Sequence, residues 1–333
     1  MVGGSRSNRK WLRIFAAGFL VFTIIGNAPL FAGSAAEAAG GPTFVITGDS
    51  GAKLTDPVVV RDGRMYAPAA RVAALLGAEA SWDGDLEEVT IRSAMNDRIV
   101  LGNGVPVVYF NDGRYRMEAP PFVKDGRLYA PLRQLAEMLH ASVHLDADAG
   151  LVELNEVEPA AVDADSGLEA VAKAYGIGTA ELLLRNGLKD ETAVKAGMKL
   201  KVVVPSILAS AAKPFTDADL MLLAKITMVE AGYESYEGQL GIANVILNRV
   251  KDPRFPNTIK GVIYAGKQFP PAHNGMLDDS KPDAVALRAA KDALNGKNNV
   301  DDALYFFNPK VTKGSFWSGL DVIVTIGSHS FAK

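Results

Sequence analysis

Hydrophobic and polar residues alternate with different periods in different parts of the chain. Within residues 60–92, and again within 123–155, short runs of alternating or mainly apolar residues flank one stretch that is rich in Ala and Leu. Such runs are typical of strands around a short helix. From Asp217 onward, two longer stretches carry apolar residues at helical spacing. The pattern predicts a multidomain chain in which an α+β region precedes a mainly α region.

The α+β region contains an internal repeat. The segment VRDGRMYAP at 60–68 returns as VKDGRLYAP at 123–131, an offset of 63 residues. An Asp-Gly pair between two short runs predicts a tight hairpin. The proline predicts the start of a helix, which should end near Leu76 in the first copy and near Leu139 in the second. Residues 43–156 are therefore predicted to form one α+β repeat domain of two similar halves.

This repeat pattern resembles the copper amine oxidase N-terminal-like domain, a stalk module of exported bacterial proteins. His140 and His144 stand four residues apart, but the helix before them should end near Leu139 and no carboxylate completes a metal site. Both are expected to be structural or surface histidines. Aromatic residues of this domain leave two interpretations open, contact with a glycan or packing across neighbouring strands. They are Tyr109, Phe110 and Tyr115.

A smaller module is predicted at 162–205. Residues 167–175 and 179–186 have the pattern of short helices that end at glycines, and 198–204 has the pattern of a strand. This β-α-α-β spacing resembles a LysM repeat, which implies binding to glycans that contain N-acetylglucosamine.

The first loop of this LysM-like module departs from the family pattern. Asp165-Ser166-Gly167-Leu168 stands where LysM repeats have Gly-Asp-Thr-Leu, in a loop that helps to line the sugar groove. A module that binds glycan and a helical spacer that binds none therefore both stay open. Residues 206–214, mostly small and polar, are predicted as a linker.

The first helix of the C-terminal domain ends on a candidate acid. It should begin after Thr216, which forms a capping-box pattern with Asp219, and it is apolar on almost every side, which predicts a buried, central helix. Its last residue, Glu230, shares the apolar stripe of Leu223 and Ile226. Burial and the negative end of the helix dipole both disfavour a carboxylate, so the pKa of Glu230 should be raised. A protonated carboxyl of this kind suits a general acid; the alternative is a glutamate in solvent at a frayed helix end.

The domain over 215–333 resembles the SleB-type spore cortex-lytic cell wall hydrolases. The motifs that carry the resemblance are Glu230-Ala231-Gly232-Tyr233-Glu234, YEGQ at 236–239, ANVILNRV at 243–250, FPNTI at 255–259, GVIY at 261–264, ALYFFNP at 303–309 and IGSHSF at 326–331. The resemblance implies a lysozyme-like fold in which the first glutamate of a Glu-Ala-Arg-Gly-Glu motif is the catalytic acid. That glutamate corresponds to Glu230 and the second to Glu234, while Gly232 and Tyr233 replace the Arg-Gly pair.

The resemblance also implies the reaction, cleavage of the bond between N-acetylmuramic acid and N-acetylglucosamine in peptidoglycan. A lytic transglycosylase can use one acid, because the 6-hydroxyl of the sugar itself attacks. Glu230 would first donate a proton to the glycosidic oxygen and then accept one from that hydroxyl. A hydrolase with the usual two carboxylates needs a partner for Glu230. Glu234, Asp278 and Asp279 stay available for that role.

Substrate contacts are predicted from polar and aromatic residues of the same domain. Asn244 and Asn248 lie one turn apart on a predicted helix, 236–250, where they either face the substrate groove or tie down a neighbouring loop. Aromatic and amide residues in the later loops either recognise sugar or pack. The substrate-binding candidates are Glu234, Asn244, Asn248, Phe269, Asn274, Tyr305 and Asn308. A last helix, which should start at Ser280 or Pro282 and stop at Gly296, is expected to be scaffold.

The amino-acid composition limits the classes of partner and cofactor that the chain is expected to have. The chain has 35 Lys and Arg against 38 Asp and Glu, a net charge of −3 without blocks of one sign, so no nucleic-acid partner is expected. The absence of cysteine excludes disulfides, thiolate ligands and a cysteine nucleophile. No metal and no cofactor are predicted. The expected partner is the glycan strand of peptidoglycan, and a regulatory wall or spore protein is left unidentified.

The N-terminus has the layout of a secretory signal peptide, predicted at 1–38. Basic residues precede an apolar run at 14–26, and Ala36-Glu37-Ala38 follows. An uncleaved anchor is the alternative, although Asn27 and Pro29 cut the run short of a membrane-spanning length. The predicted location is secreted, in association with the cell wall or the spore cortex.

Two other functions remain open. His273 and His329, the two histidines of the C-terminal domain, leave room for a zinc N-acetylmuramoyl-L-alanine amidase. The exchanged Gly232-Tyr233 pair and the altered LysM-like loop leave room for a wall-binding protein without catalysis.

Overall fold

The computed structural model of the chain describes residues 44–47, 51–146, 149–163, 167–266 and 268–333. The predicted signal peptide lies outside the described residues. The strands are β1 Phe44–Thr47, β2 Lys53–Pro57, β3 Val59–Arg61, β4 Arg64–Pro68, β5 Glu79–Asp83, β6 Glu88–Arg92, β7 Arg98–Gly102, β8 Val107–Phe110, β9 Gly113–Arg116, β10 Phe122–Lys124, β11 Arg127–Pro131, β12 Ala141–Asp146, β13 Leu151–Glu156, β14 Ala160–Ala161, β15 Lys199–Leu200, β16 Tyr305–Phe307, β17 Val322–Ile326 and β18 His329–Ala332.

The α-helices are α1 Ala69–Leu75, α2 Leu132–Met138, α3 Gly167–Tyr175, α4 Thr179–Arg185, α5 Asp217–Ala231, α6 Tyr236–Lys251, α7 Ile259–Tyr264, α8 Met276–Asp279, α9 Ala284–Leu294 and α10 Ser315–Ser318. Short 3₁₀ segments cover Glu191–Ala193, Ser206–Ala209 and Pro270–Ala272. None of the helices in the described residues combines the length and the apolar character that a membrane crossing requires.

The predicted repeat is confirmed as two copies of one hairpin-helix-hairpin unit. Each copy has two strands around an Asp-Gly turn, then a helix directly after the proline, then two more strands. Asp62 and Gly63, and their counterparts Asp125 and Gly126, all have positive φ, as the tight turn requires. The copies join where β4 pairs with β11, with Ala67 opposite Ala130, in a sheet of order β10-β11-β4-β3.

Two further sheets complete this first domain. One has the order β12-β13-β1-β2, with β1 parallel to β13, and the other is the meander β5-β6-β7-β8-β9. Of the three aromatic residues considered for glycan contact, Phe110 is only 3% exposed and belongs to the core, while Tyr109 and Tyr115 pair across strands with Arg114 and Val108. Packing is therefore what the structure shows for them.

His140 is a structural residue, as predicted. The helix before it ends at Met138, and the His140 ring is buried, with Nδ1 2.7 Å from the carbonyl oxygen of Val157. Burial lowers the pKa of His140 to about 4, so the ring is neutral. His144 lies exposed on β12.

The second module has the predicted β-α-α-β order, with β14 antiparallel to β15 around α3 and α4. The strand predicted at 198–204 was too long, since only Lys199–Leu200 is a strand. The residues after it turn toward the first domain. There the backbone N–H groups of Val202 and Val203 donate to Nε2 of His140, at 2.8 and 3.1 Å.

The segment predicted as a linker, 206–214, is packed rather than free. Ile207 is 1% exposed and belongs to the core of the first domain, since burial of an apolar side chain is favourable. The Ser206 hydroxyl donates to Oε2 of Glu137 at 2.6 Å, and Ala211 forms a bridge with Tyr115. The predicted linker therefore begins with residues that pack against the first domain.

The C-terminal domain packs α5, α6 and α9 around one apolar core and adds a sheet of order β16-β18-β17. The start and the cap of α5 are confirmed: Thr216 Oγ1 accepts from the N–H of Asp219 at 3.0 Å, and Asp219 Oδ2 accepts from the N–H of Thr216 at 3.1 Å. The prediction of a buried, central helix holds for Leu223, Ala224 and Ile226, which are fully buried, but not for Met221, which is 44% exposed. α9 begins at Ala284 behind a cap by Asp283, later than predicted from Ser280 or Pro282.

Candidate active site

Glu230 lies at the end of α5 on the predicted apolar stripe. Leu223 and Ile226, seven and four residues earlier, are fully buried, and Glu230 itself is half-buried. Burial raises the pKa of Glu230, as expected, because the surroundings solvate a carboxylate poorly. Among the described residues, the carboxyl of Glu230 has no hydrogen bond or ion pair within the chain. The structure therefore leaves this carboxyl, with its raised pKa, without a partner among the described residues.

Glu234 has the opposite environment. Its side chain is 7% exposed, and Oε1 accepts hydrogen bonds from the N–H of Ser328 at 3.0 Å and from the Ser328 hydroxyl. Nδ1 of His329 lies 3.3 Å from the same oxygen. The hydrogen bonds from Ser328, aided by His329, hold the pKa of Glu234 below its usual range. Glu234 is thus a fixed carboxylate that ties the α5–α6 connection to the turn between β17 and β18.

Two glycines make room for this carboxylate. A Cβ at Gly327 would overlap Oε2 of Glu234, and a Cβ at Gly238 would lie 2.8 Å from Cβ of Glu234. Gly327 also has a φ of +59°, which favours glycine. Gln239 adds a hydrogen bond from Nε2 to the carbonyl of Glu234 at 3.2 Å. Backbone and side chain of Glu234 are both held.

His329 stands between Glu234 and a group of aromatic rings. Its ring is 5.7 Å from that of Phe306, in an edge-on arrangement, and 6.2 Å from that of Tyr233. Burial lowers the pKa of His329, although Glu234 acts against the shift. Tyr233 itself is 73% exposed. The exchanged residue at position 233 therefore places an aromatic ring at the surface, three positions after Glu230.

Asn244 and Asn248 hold a loop. Nδ2 of Asn248 donates to the carbonyls of Asp301 and Ala303, at 2.8 and 3.1 Å, and Nδ2 of Asn244 lies 3.4 Å from Oδ1 of Asn299. Asn299 in turn donates to the carbonyl of Glu237 at 2.8 Å. These contacts match the second interpretation of the two residues, the one in which they tie down a neighbouring loop.

The remaining substrate-binding candidates are spread over several loops. Phe269 is 1% exposed and packs in the core beside Phe306, so it has no surface to offer a ligand. Asn274 is exposed, and its Oδ1 accepts from the N–H of Met276 at the start of α8. Asn308 is half-buried and accepts from the N–H of Lys310 in a turn. Tyr305 is half-buried, with its ring against that of Phe316 at 5.5 Å.

Sequence reasoning did not single out Arg249. Its guanidinium is buried, donates to the carbonyl of Leu304 at 2.7 Å and lies 5.2 to 5.7 Å from the ring centres of Phe255, Phe269 and Tyr305. Burial lowers the pKa of Arg249 to about 10. The sequence signal for Arg249 was its position in the motif at 243–250. That motif does not show which aromatic rings its guanidinium contacts.

Other candidate groups lie apart from this arrangement. Asp278 and Asp279 are exposed on α8. His273 is exposed beside Tyr264, and within the described residues no group of three or more His, Asp or Glu side chains has the geometry to hold a metal ion. A cavity of about 410 Å³ lies between the first domain, the segment 212–215 and the C-terminal domain, and Glu230 does not line it.

Comparison with known proteins adds to this geometry. Residues 233–332 match the family described as Cell Wall Hydrolase. The C-terminal domain is a cell wall hydrolase domain. Residues 47–154 match the Copper amine oxidase N-terminal domain, and residues 167–203 match the LysM domain, so all three predicted resemblances are confirmed. The match of the hydrolase domain begins three residues after Glu230 and does not include it.

Curated relatives match about a third of the chain. The chain is 40% identical over 119 residues to a spore cortex-lytic enzyme of Bacillus subtilis, which is 36% of this chain and 39% of the relative. It is 41% identical over 118 residues to a spore cortex-lytic enzyme of Halalkalibacterium halodurans, 35% of each chain. The chain thus spans well under half the length of these relatives.

A solved structure is also similar over this domain. The catalytic domain of the germination-specific lytic transglycosylase SleB from Bacillus anthracis is 34% identical, over 37% of this chain and all of that one, with a TM-score of 0.35.

Proposed function

We propose that this protein cleaves the glycan strands of peptidoglycan as a lytic transglycosylase, at the bond between N-acetylmuramic acid and N-acetylglucosamine. The observation that carries the proposal is the contrast between Glu230 and Glu234. The pKa of Glu230 is raised by burial and its carboxyl has no partner among the described residues, whereas the pKa of Glu234 is lowered and its Oε1 accepts hydrogen bonds from Ser328. A pair of titratable groups whose pKa values are pushed apart in this way indicates distinct roles.

In the proposed mechanism, Glu230 is the only acid and base. Its carboxyl donates a proton to the glycosidic oxygen as the bond from that oxygen to C1 of the muramic acid breaks. The resulting carboxylate then accepts the proton of the 6-hydroxyl as that oxygen bonds to C1, which gives a 1,6-anhydro end. Glu230 returns to its protonated state, and no water is consumed. In this mechanism Glu234 does not act as the second carboxylate, because Ser328 and His329 already contact its Oε1.

The setting of the reaction follows from the other modules and the relatives. The LysM domain supports peptidoglycan as the ligand of the chain, and the relatives are named as spore cortex-lytic enzymes. We therefore place the activity at the spore cortex or at a wall under remodelling, outside the cytoplasmic membrane, with a glycan-binding role for the second module. A secreted chain of this kind would use 1–38 as its signal peptide.

The test is product analysis with Glu230→Gln, which keeps the shape of the side chain and removes its proton. The parent should release 1,6-anhydro-muropeptides from purified cortex peptidoglycan, detected by mass spectrometry. Glu230→Gln should lower the rate by at least about 10³-fold. The matched control, Asp278→Asn with Asp279→Asn, should keep the parent rate and the anhydro products.

Each of the following results would support a different function. Reducing ends in place of anhydro ends, lost in the Asp278 and Asp279 variant, would establish a two-carboxylate hydrolase. Free stem peptides would establish the amidase. Binding without fragments from parent and variant alike would establish a non-catalytic wall-binding protein.

A further inference from the structure

The first domain contacts the hydrolase domain through acidic residues at one turn. Glu87 lies in the turn between β5 and β6, and Glu88 is the first residue of β6; both lie opposite α9. Nη2 of Arg288 donates to Oε2 of Glu87 at 2.7 Å, and its Nη1 donates to the carbonyl of Asp85 at 2.8 Å. Nζ of Lys291 donates to Oε1 of Glu88 at 2.7 Å. Two charge pairs therefore join the two domains side by side.

The pair made by Glu87 continues into the hydrolase domain. The guanidinium of Arg288 lies 4.1 Å from the ring centre of Tyr236, and its Nε is 3.7 Å from Oδ2 of Asp292. That oxygen accepts a hydrogen bond from the hydroxyl of Tyr236 at 2.5 Å. Nζ of Lys297 lies 4.9 Å from the centre of the same ring. Contacts thus run from Glu87 to the first residue of α6.

The ion pair between Glu88 and Lys291 does not connect to Tyr236. Lys291, the partner of Glu88, lies 5.7 Å from the ring centre of Tyr109, which belongs to the first domain. The ring of Tyr109 also contacts Asn295, which donates to its hydroxyl at 3.1 Å. This second pair holds the domains together without reaching Tyr236.

The backbone at Glu87 gives an independent observation. Its φ is +50°, in the left-handed region that a glutamate rarely adopts. The repeat offset of 63 residues aligns Glu87 with Gly150, which has a φ of +63° at the same turn of the second copy, and aligns Glu88 with Leu151. The second copy has the residue that this backbone favours. The first copy has instead a side chain that reaches Arg288.

The same exchange occurs at a second turn, with the copies reversed. His140 has a φ of +63°, and its counterpart in the first copy is Gly77, also at +63°. The ring of His140 accepts from Val202 and Val203 of the LysM domain. Each copy of the repeat therefore places one side chain at a left-handed position where the other copy has glycine, and each of these side chains contacts a different following domain.

We propose that the first domain positions the catalytic segment of the hydrolase domain: Glu87 acts through Arg288 and Asp292 on Tyr236, and so fixes the connection between Glu230 and α6. The connection is short, since only four residues separate the end of α5 from the start of α6. Glu87 is a positioning residue and touches no substrate. The inference rests on the proposed function for its effect on turnover, and on the contacts alone for its effect on structure.

The experiment uses two variants that install the residues of the second copy, Glu87→Gly and Glu88→Leu, in the full chain. Each removes one of the two adjacent charge pairs. Glycine relieves the left-handed backbone, so Glu87→Gly should keep or raise the melting temperature. Amide hydrogen exchange in the first turn of α6 should become several-fold faster in Glu87→Gly and stay at the parent rate in Glu88→Leu.

The turnover rates of Glu87→Gly and Glu88→Leu should differ in the same way as their exchange rates. On soluble glycan fragments, kcat should fall about tenfold in Glu87→Gly with KM within about twofold, because the acid is misplaced while the substrate contacts remain. Arg288→Met should match it, and the double variant should lose no more than either single one. Glu88→Leu should keep the kcat of the parent.

Unchanged exchange at α6 in Glu87→Gly would overturn the proposal, as would equal changes in both variants, since these would reflect domain docking in general. If the parent releases no glycan fragments, the proposed function fails, and the exchange measurement still decides whether Glu87 positions α6.

Discussion

Glu230 and Glu234 show how one short segment gives two carboxyls different chemistry. Glu230 is half-buried at the end of a helix, with burial as the cause of its raised pKa. Glu234, four residues later in the connection between α5 and α6, has a side chain that is only 7% exposed, but hydrogen bonds from Ser328 stabilise its charge. Burial without hydrogen-bond donors disfavours the charged form of a carboxyl, and burial beside such donors favours the charged form. The outcome therefore depends on which partners the fold brings, and not on the residue type.

The opposed pKa values predict a bell-shaped pH profile of kcat/KM. Since the pKa of Glu230 is raised, its acid form is present at low pH and activity is lost as pH rises through that pKa. Since the pKa of Glu234 is lowered, its contact with Ser328 is present at higher pH and is lost as pH falls through that pKa. The alkaline limb reports Glu230 and the acidic limb reports Glu234.

Ser328→Ala distinguishes the two limbs. Without the hydroxyl of Ser328, the pKa of Glu234 rises, so the acidic limb should move to higher pH while the alkaline limb stays in place. Rates measured across pH on soluble glycan fragments check this. An alkaline limb that moves with Ser328→Ala, or an acidic limb that does not, would contradict the assignment.

The candidate acid could be predicted from the sequence, but its surroundings could not. Glu230 follows from local facts, a cap at Thr216 and an apolar stripe through Ile226. The partners of Glu234 stand 94 residues away, and no local pattern connects positions so far apart. Asn248 shows the same limit, since its amide meets carbonyls 53 and 55 residues later.

At the scale of elements, the turn between β17 and β18 is the part of the sheet that contacts the α5–α6 connection. β18 is the central strand, paired with β16 on one side and β17 on the other. Phe331 on β18 is fully buried in the helical core. The sheet therefore fixes the turn, and the turn fixes Glu234.

Gly327→Ala should disrupt this element. The substitution combines a left-handed backbone with an overlap on Oε2 of Glu234. Gly266 has a φ of +57° and nothing within 4 Å of its added Cβ, so Gly266→Ala is the matched control. The control should lower the free energy of unfolding by about 1 kcal/mol, and Gly327→Ala by about 3 kcal/mol or more with a loss of activity. If denaturant titrations gave the same loss of unfolding free energy for Gly327→Ala and Gly266→Ala, the overlap of the added Cβ with Glu234 would be relieved without an energetic cost.

Helices of the hydrolase domain were predictable and its sheet was not. The helical spacing of apolar residues and the capping residues predict the ends of α5 and α6 to within one or two residues. β16 and β18 have three and four residues, too few for a period to show, and their aromatic residues in ALYFFNP and SHSF suited sugar-binding loops equally well. Phe306 and Phe331 pack inward because strand pairing, made with distant residues, sets their faces.

On the scale of the whole molecule, single buried side chains join the domains. Arg185 of the LysM domain forms an ion pair with Asp97 of the first domain, with Nη2 2.7 Å from Oδ2, and neither side chain is more than 2% exposed. Lys201 adds a second cation, 2.7 Å from Oδ1 of Asp97. These cations hold the pKa of Asp97 below its usual range against the effect of burial.

Asp97→Ala should release the LysM domain. It leaves the guanidinium of Arg185 buried without its anion, at a cost of about 3 to 5 kcal/mol. Lys201→Met, at the partly exposed member of the cluster, should cost under about 1 kcal/mol. Thermal unfolding and limited proteolysis in the segment 157–163 check both. Equal protection of that segment in Asp97→Ala and the parent would count against a docked LysM domain.

The module order could be predicted from the sequence, but the docking could not. Repeats, helical periods and motif matches define each domain by itself. Asp97, Arg185 and Glu87 are isolated charged residues in their own segments, and charged residues are common on every surface. Their partners in other domains become visible only in the folded chain, where Arg185 meets Asp97 and Arg288 meets Glu87.

The long separation between Glu234 and Ser328 also has a consequence in time. A ribosome takes about 5 to 20 s to add the 94 residues between them. During that interval the nascent chain carries Glu230 but lacks the strand that orders the segment beside it. The order of synthesis therefore delays the contact between Glu234 and Ser328, and with it the ordering of the segment that follows Glu230, until the last strand has been made.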